Sequence, residues 1–261
     1  MKCSIRLLIA LSYSFPLLIL SGFCLAESGA NNVVFSVGTG IVVAPKCLGS
    51  EKLETSPIIH LSYDFGNGFL ASTTEGVGFN YIHPLDNGIT LSAGTTFNYQ
   101  QERKDEDELK GMGKIKSSVF NRLDVGIGLY QHIVFHAGAN ITLSERDHGA
   151  NYYLSVSIPV LRLSEHAVSI KSTGYYFDRK FSQTYFGVTN DQSIQSKYKE
   201  YTPKAGFGQI DTGIEWVYGI NKRWSLSSFL GASHLIGESA DSPIVKQKTS
   251  LQTYIVGIYT F

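Results

Sequence analysis

Two short stretches carry the residue types of a nucleophile and its base. In His60-Leu61-Ser62 the imidazole and the hydroxyl are two residues apart, so on an extended strand they share a face. A base could activate a hydroxyl from that spacing. Asp147-His148 pairs a carboxylate with an imidazole in the manner of a protease dyad. Each stretch also has a plainer reading. Ile59, Leu61, Tyr63 and Phe65 form the opposite, apolar face of the first, which makes His60, Ser62 and Asp64 the ordinary polar face of one strand. A lipid deacylase would instead need its serine directed toward lipid. Asp-His-Gly is the composition of a turn. His83, His132 and His166 sit in or beside short turns without metal-ligand spacing. No Gly-x-Gly-x-x-Gly joins a strand to a helix. The sequence thus nominates no catalytic, metal-binding or cofactor-binding residue and reads as a non-enzyme.

Charged residues make a second set. Arg122, Asp124, Lys171, Asp211 and Glu215 lie on the polar sides of runs that alternate at period two. In residues 89–100 one face reads Ile89, Leu91, Ala93, Thr95, Phe97, Tyr99, and the other Thr90, Ser92, Gly94, Thr96, Asn98, Gln100. Residues 133–144 set Ile133, Phe135, Ala137, Ala139, Ile141 and Leu143 against Val134, His136, Gly138, Asn140, Thr142 and Ser144. Further on, Tyr152, Leu154, Val156, Ile158 and Val160 share a face; so do Ile210, Thr212, Ile214, Trp216 and Tyr218, opposite Gln209, Asp211, Gly213 and Glu215. Such alternation belongs to sheets whose two faces meet different surroundings.

A soluble sandwich or lipocalin would also alternate. Three features favour a membrane barrel. The runs last about 10–13 residues, longer than the usual 5–6 of soluble strands and close to the 9–11 that span a bilayer. Aromatics collect at the ends of the apolar faces (Tyr81, Phe97, Tyr99, Tyr130, Tyr152, Tyr176, Tyr218, Trp224, Tyr259, Phe261), where interfacial girdles would place them. Connectors differ in length: Pro84-Leu85-Asp86-Asn87-Gly88, Ser164-Glu165-His166 and Asn221-Lys222-Arg223 contrast with polar segments 101–116, 182–204 and 237–250. The alternation also runs to Phe261, as it can in a barrel, whose last strand pairs with its first. This ending resembles the C-terminal signal by which Gram-negative outer-membrane proteins are recognised for assembly.

The expected fold is an all-β, transmembrane antiparallel β-barrel with short periplasmic turns and long extracellular loops. Eleven candidate strands start near residues 33, 57, 69, 89, 117, 133, 151, 167, 205, 224 and 251. Bacterial single-chain barrels have even numbers, so the count is about 12, with 10 as the alternative. The uncertain stretch is 33–85, where Glu75-Gly76 could hide a turn. Pro159 within a strand predicts a bulge. With both signs of charge inside, such a lumen is cross-linked, with at most a narrow water path.

The first residues suggest export. Lys2 and Arg6 precede an apolar stretch, and Cys24-Leu25-Ala26 suits cleavage after Ala26. A membrane anchor and a lipoprotein acylated at Cys24 are rival readings, weakened by Pro16 and the serines and by Phe23, respectively. The expected division is a signal peptide over residues 1–26 and a barrel over 27–261. Cys3 and Cys24 would leave with the signal, and Cys47 would have no partner. Removing Lys2 and Arg6 takes 22 basic residues to 20 against 22 acidic ones, a net of −2, which gives nothing to attract nucleic acid.

Several motifs resemble the outer-membrane family named for MipA and OmpV: "TYFGVTNDQSIQS" from Thr184, "YTPKAGFGQID", "YGINKRWSL", "LIGESADSPIV" from Leu235, and the closing Tyr259-Thr260-Phe261. "VGTGIVVAPKCLGS" is similar to that family's glycine-rich opening, with Cys47 where an aromatic is usual, and Leu109, Gly111 and Gly113 match a further short motif. The resemblance implies the outer membrane and a barrel, and the residues themselves suggest no cofactor. It implies contact with outer-membrane lipid and the barrel assembly machinery, and a scaffold linking a lytic murein transglycosylase to a murein synthase. The polar lumen alone suggests a narrow porin-like channel for small solutes. N-terminal sequencing of the outer-membrane form should begin at Glu27; a chain still beginning at Met1, or one found in the inner membrane, would refute the export reading.

Overall fold

In the computed structural model, which describes residues 33–85, 88–130 and 132–261, the alternating runs become twelve strands. They are β1 (Val34–Pro45), β2 (Leu53–Asp64), β3 (Phe69–Ser72), β4 (Gly76–Pro84), β5 (Ile89–Gln100), β6 (Ser118–Leu129), β7 (Ile133–Thr142), β8 (Ala150–Arg162), β9 (His166–Phe177), β10 (Gly206–Gly219), β11 (Trp224–Leu235) and β12 (Thr249–Thr260). Each pairs antiparallel with its neighbours in sequence, and β12 pairs with β1 to close the barrel. The alternative of ten strands is therefore excluded. The strand missing from the sequence count is β4: the run that starts at Phe69 divides at the turn at Glu75-Gly76, leaving β3 with only four residues. At Pro159 the β8–β9 register slips before Leu161, the bulge that proline demands. The seam is close: a Cβ on Gly40 would stand 2.0 Å from the Ile255 carbonyl oxygen, so glycine is required there.

Side-chain alternation now has a direction. On β10, Gln209, Asp211, Gly213 and Glu215 are buried inside while Ile210, Thr212 and Ile214 are exposed outside. Leu154, Leu230 and Leu251 leave more than 60% of their surface on the outer wall, which suits lipid rather than water. At the short-turn end, aromatic rings touch in series from Trp224 through Tyr259, Phe261, Phe35, Tyr63 and Phe65 to Phe69. This is an interfacial girdle. Phe261 lies one residue past β12, yet its N–H donates to the Phe35 carbonyl at 3.0 Å.

Local chemistry sets the connections. In the β2–β3 turn, the carboxylate of Asp64 accepts from the Gly66 N–H and the amide oxygen of Asn67 from the Phe69 N–H, while Gly66 and Gly68 take positive φ. Asp86 and Asn87 of the β4–β5 turn lie outside the described residues, as do residues 1–26. The long connections differ from the polar loops expected, because they fold into a lid. α1 (Arg179–Phe186) and α2 (Asn190–Gln195) follow β9, and α3 (Gly237–Ala240) follows β11. Asp178 caps α1 and a Thr189/Gln192 capping box starts α2. Phe181, Tyr185 and Phe186 of α1 pack on Tyr153, Tyr175 and Phe177 from the barrel mouth. A second cluster joins Leu109, Met112, Val188, Tyr198 and Ile244, with Cys47 against it.

These faces make a direct test available on β8. Leu154 faces lipid, whereas Ser155 faces the lumen and accepts from the Thr173 hydroxyl. Leu154→Arg should cost up to roughly 2–4 kcal/mol of folding free energy in liposomes, and Ser155→Arg much less. Equal folding yields would mean that the faces are reversed.

Candidate functional site

The luminal wall gathers the polar residues, and its two halves differ. On the side of β9 to β12 the lumen is densely packed, and its inward residues are buried. Lys171 Nζ stands 2.6 Å from a Glu215 carboxylate oxygen, with both side chains almost fully buried. Tyr254 on β12 donates its hydroxyl to the other Glu215 oxygen at 3.3 Å, tying β12 to β10 past β11. The Asp211 carboxylate accepts from the Ser233 hydroxyl at 2.5 Å and from the Gln209 amide at 2.8 Å. A buried ion pair offsets its desolvation only with further hydrogen bonds, and Tyr254 supplies one to Glu215.

Apolar groups complete that half. Ile58, Phe229, Tyr254 and Val256 form a buried cluster within the lumen. The Phe229 ring lies against the backbone of β10 and β11, where a Cβ on Gly213 or Gly231 would come within 2.3 or 2.5 Å of a ring carbon. Sequence reading missed these residues, because a tyrosine or phenylalanine on a luminal face looks like a lapse in alternation. The paired glycines across from Phe229 were the available signal.

The side of β5 to β8 is more open. Arg122 Nε donates to Asn140, whose amide donates in turn to Asn151. His136 Nδ1 meets an Asp124 carboxylate oxygen at 2.7 Å, and the Tyr153 hydroxyl donates to the other at 2.7 Å. Ser92, Gly126 and His136 lie side by side on β5, β6 and β7. An Asp–His pair is the orienting half of a hydrolytic triad. Among the described residues, however, no hydrogen bond joins Ser92 to His136, so no nucleophile is assembled beside the pair.

The other residues considered from sequence are scattered. His60 bonds Ser36 at 3.1 Å across the β1–β2 ladder rather than Ser62, and Asp64 serves the turn. His148 meets the Ser118 hydroxyl at 3.3 Å, burial pushes its pKa down, and Asp147 offers its backbone carbonyl to Thr184. His166 stacks on Trp216 and Tyr218 in the girdle, while His83 stacks on Tyr81 and His132 is exposed in its turn. Among the described residues no group of three or more His, Cys, Asp or Glu side chains could hold a metal ion. By contrast, Arg122, Asp124, Lys171, Asp211 and Glu215 all line the lumen, the position their strands' alternation assigns them.

A closed barrel with this apolar outer band and girdle is outer-membrane architecture, and the protein is an outer-membrane barrel. Solved structures similar to it include the KdgM porin, at 10% identity and a TM-score of 0.43, covering 87% of this chain and 99% of that one. An outer-membrane channel from Pseudomonas putida F1 has 8% identity and a TM-score of 0.46, covering 89% and 98%. The anion-selective porin from Comamonas acidovorans has 10% identity and a TM-score of 0.39, covering 88% and 99%. No protein of curated function matches the sequence. The family model described as MltA-interacting protein MipA matches residues 37–261, and the chain belongs to that family.

Proposed function

We propose that this barrel is an interaction scaffold, which holds murein-hydrolysing and murein-synthesising enzymes at the periplasmic face of the outer membrane. The observation that carries the reading is the obstruction of the lumen. Phe229, Tyr254 and the Lys171–Glu215 pair occupy one half, and the lid packs over the mouth. A barrel built to conduct would leave that path to water. The family's description names interaction with MltA, and a lytic murein transglycosylase is the partner class it suggests, with a murein synthase beside it. The short periplasmic turns form a low rim on which such enzymes could seat. Export by cleavage after Ala26, insertion by the barrel assembly machinery and contact with outer-membrane lipid belong to the same proposal, and no nucleic acid or cofactor enters it.

Conductance and capture separate this reading from a small-solute channel. Purified barrel in a planar bilayer should give no steady single-channel steps, and should retain a lytic transglycosylase or a murein synthase from a detergent extract of the envelope. Steady steps in the absence of any retained murein enzyme would overturn the scaffold in favour of the channel.

A further inference from the structure

The turn between β3 and β4 leans into the lumen. β3 ends at Ser72, which pairs with Ser62 of β2, and the Glu75 N–H donates to the Ser72 hydroxyl at 3.3 Å. Thr74 Oγ1 stands 3.0 Å from that hydroxyl and 3.5 Å from Nδ1 of His60, a buried luminal residue. Gly76 follows with φ +88°, and a Cβ there would come within 2.6 Å of Asn98 Oδ1 on the luminal face of β5. Glycine is what lets the chain pass so close.

This course brings Glu75 among the luminal charges. Arg122 on β6 and Lys171 on β9 both act on its carboxylate, and Asp64 at the periplasmic end of β2 acts against it. Burial opposes the carboxylate's charge, while the two cations favour it. Lys171 is already held by Glu215, and Asp64 by the Gly66 N–H. Asp124 is held by His136 and Tyr153. Glu75 and Arg122 remain. Among the described residues neither forms a salt bridge, the Glu75 carboxylate accepts no hydrogen bond, and Arg122 donates only through Nε, to Asn140. The register sets Arg122 across Thr96 from Gly78, three residues after Glu75. Two opposite charges thus share one lumen without touching, each short of a partner.

The space beside them is open toward the periplasm. Ile82 lies in register with Ser92, Gly126 and His136, which puts it on the luminal face. It is nonetheless 59% exposed, and Asn80 on the same face is exposed too. An isoleucine so bare on an inward face marks lumen that side chains do not fill. The wall beside it is low, with Gly94 next to Asn80 and Gly126 beyond Ser92. On the extracellular side, Tyr153, Tyr175 and Phe177 carry α1 and close the space. The result is a blind vestibule with a carboxylate and a guanidinium inside it.

We propose that this vestibule binds a small zwitterion from the periplasm, an α-amino acid or a short peptide. Arg122 takes the ligand's carboxylate through its terminal N–H groups, a match that guanidinium geometry favours, and Glu75 takes the ammonium. A simple anion or cation would satisfy only one of the two. The site uses neither the rim nor the murein enzymes, so it stands or falls apart from the scaffold reading.

The test titrates the full-length folded barrel, in a neutral maltoside detergent, by calorimetry. Alanine and dialanine are the free and the peptide forms of the zwitterion. N-acetylalanine, which lacks the ammonium, and alaninamide, which lacks the carboxylate, are the controls. At least one zwitterion should bind, and loss of either charge should weaken it roughly ten-fold or more, the worth of one charge-assisted contact. Glu75→Gln should abolish the preference over N-acetylalanine, and Arg122→Gln the preference over alaninamide, with the heat-modifiable band on gels unchanged. A control that binds as tightly as the zwitterions would overturn the paired receptor. No binding at all would overturn it too, leaving Glu75 and Arg122 to water or to each other. Preferences unchanged in both variants would mean that the ligand sits elsewhere. Should a glutamine variant fail to fold, Glu75→Asp or Arg122→Lys takes its place, and zwitterion affinity indifferent to that change refutes the contact.

Discussion

Hydrocarbon offers no hydrogen-bond partner to a peptide group, and most features of this protein follow from that constraint. A strand that crosses the bilayer must have a neighbour on each side, so the chain cannot stop until β12 has met β1. Closure then forces the faces apart: alternate residues meet lipid or the lumen with nothing between. It also decides where small residues are needed, since Gly40 allows the Ile255 carbonyl to approach at the seam. The girdle continues across that seam through the stacked rings of Phe35 and Phe261, whose centroids lie 5.0 Å apart.

Closure with twelve strands creates a second problem, because the enclosed space is wider than facing side chains fill on their own. The chain answers it asymmetrically. Around β9 to β12 it uses large side chains lying along the wall, with glycines beneath Phe229, and polar groups that satisfy one another. Around β5 to β8 it uses shorter polar chains linked in a row, from Arg122 to Asn151 and from His136 to Tyr153. The lid then draws on the same barrel residues: Tyr153, Tyr175 and Phe177 are at once the upper luminal wall and the floor on which α1 packs. Lumen and lid are therefore one packed unit, which is why the long connections are ordered even though their composition is polar.

Much of this was legible in the sequence, for a physical reason. Long period-two runs with aromatic ends have few explanations other than a barrel, and the five luminal charges could be placed from alternation alone. What escaped had too little length or the wrong chemistry. β3, with four residues, carries no period, so its separation from β4 was not seen, and α1 to α3, with eight, six and four, are too short for a 3.6-residue pattern to emerge. Their caps were readable all the same: Thr189-Asn190-Asp191-Gln192 is a capping-box sequence and forms one. The luminal aromatics were hidden because periodicity sorts residues by polarity, while Tyr254 and Tyr153 work as both, burying a ring and presenting a hydroxyl to Glu215 and Asp124.

The short β3–β4 hairpin returns to the constraint from the other side. Among the described residues β3 covers only the last three residues of β2, and the local residues are those that reduce the cost of so short a ladder. Pro57 removes one donor from the edge, Thr73 accepts another and satisfies the Ile59 carbonyl, and the Lys46 bridge ties the two loops above. A chain able to build ten long ladders elsewhere could have built this one by lengthening one hairpin. Instead the hairpin stops short, and the Thr73 hydroxyl and the Lys46 bridge stand at the two ends of the place where a longer ladder would have run.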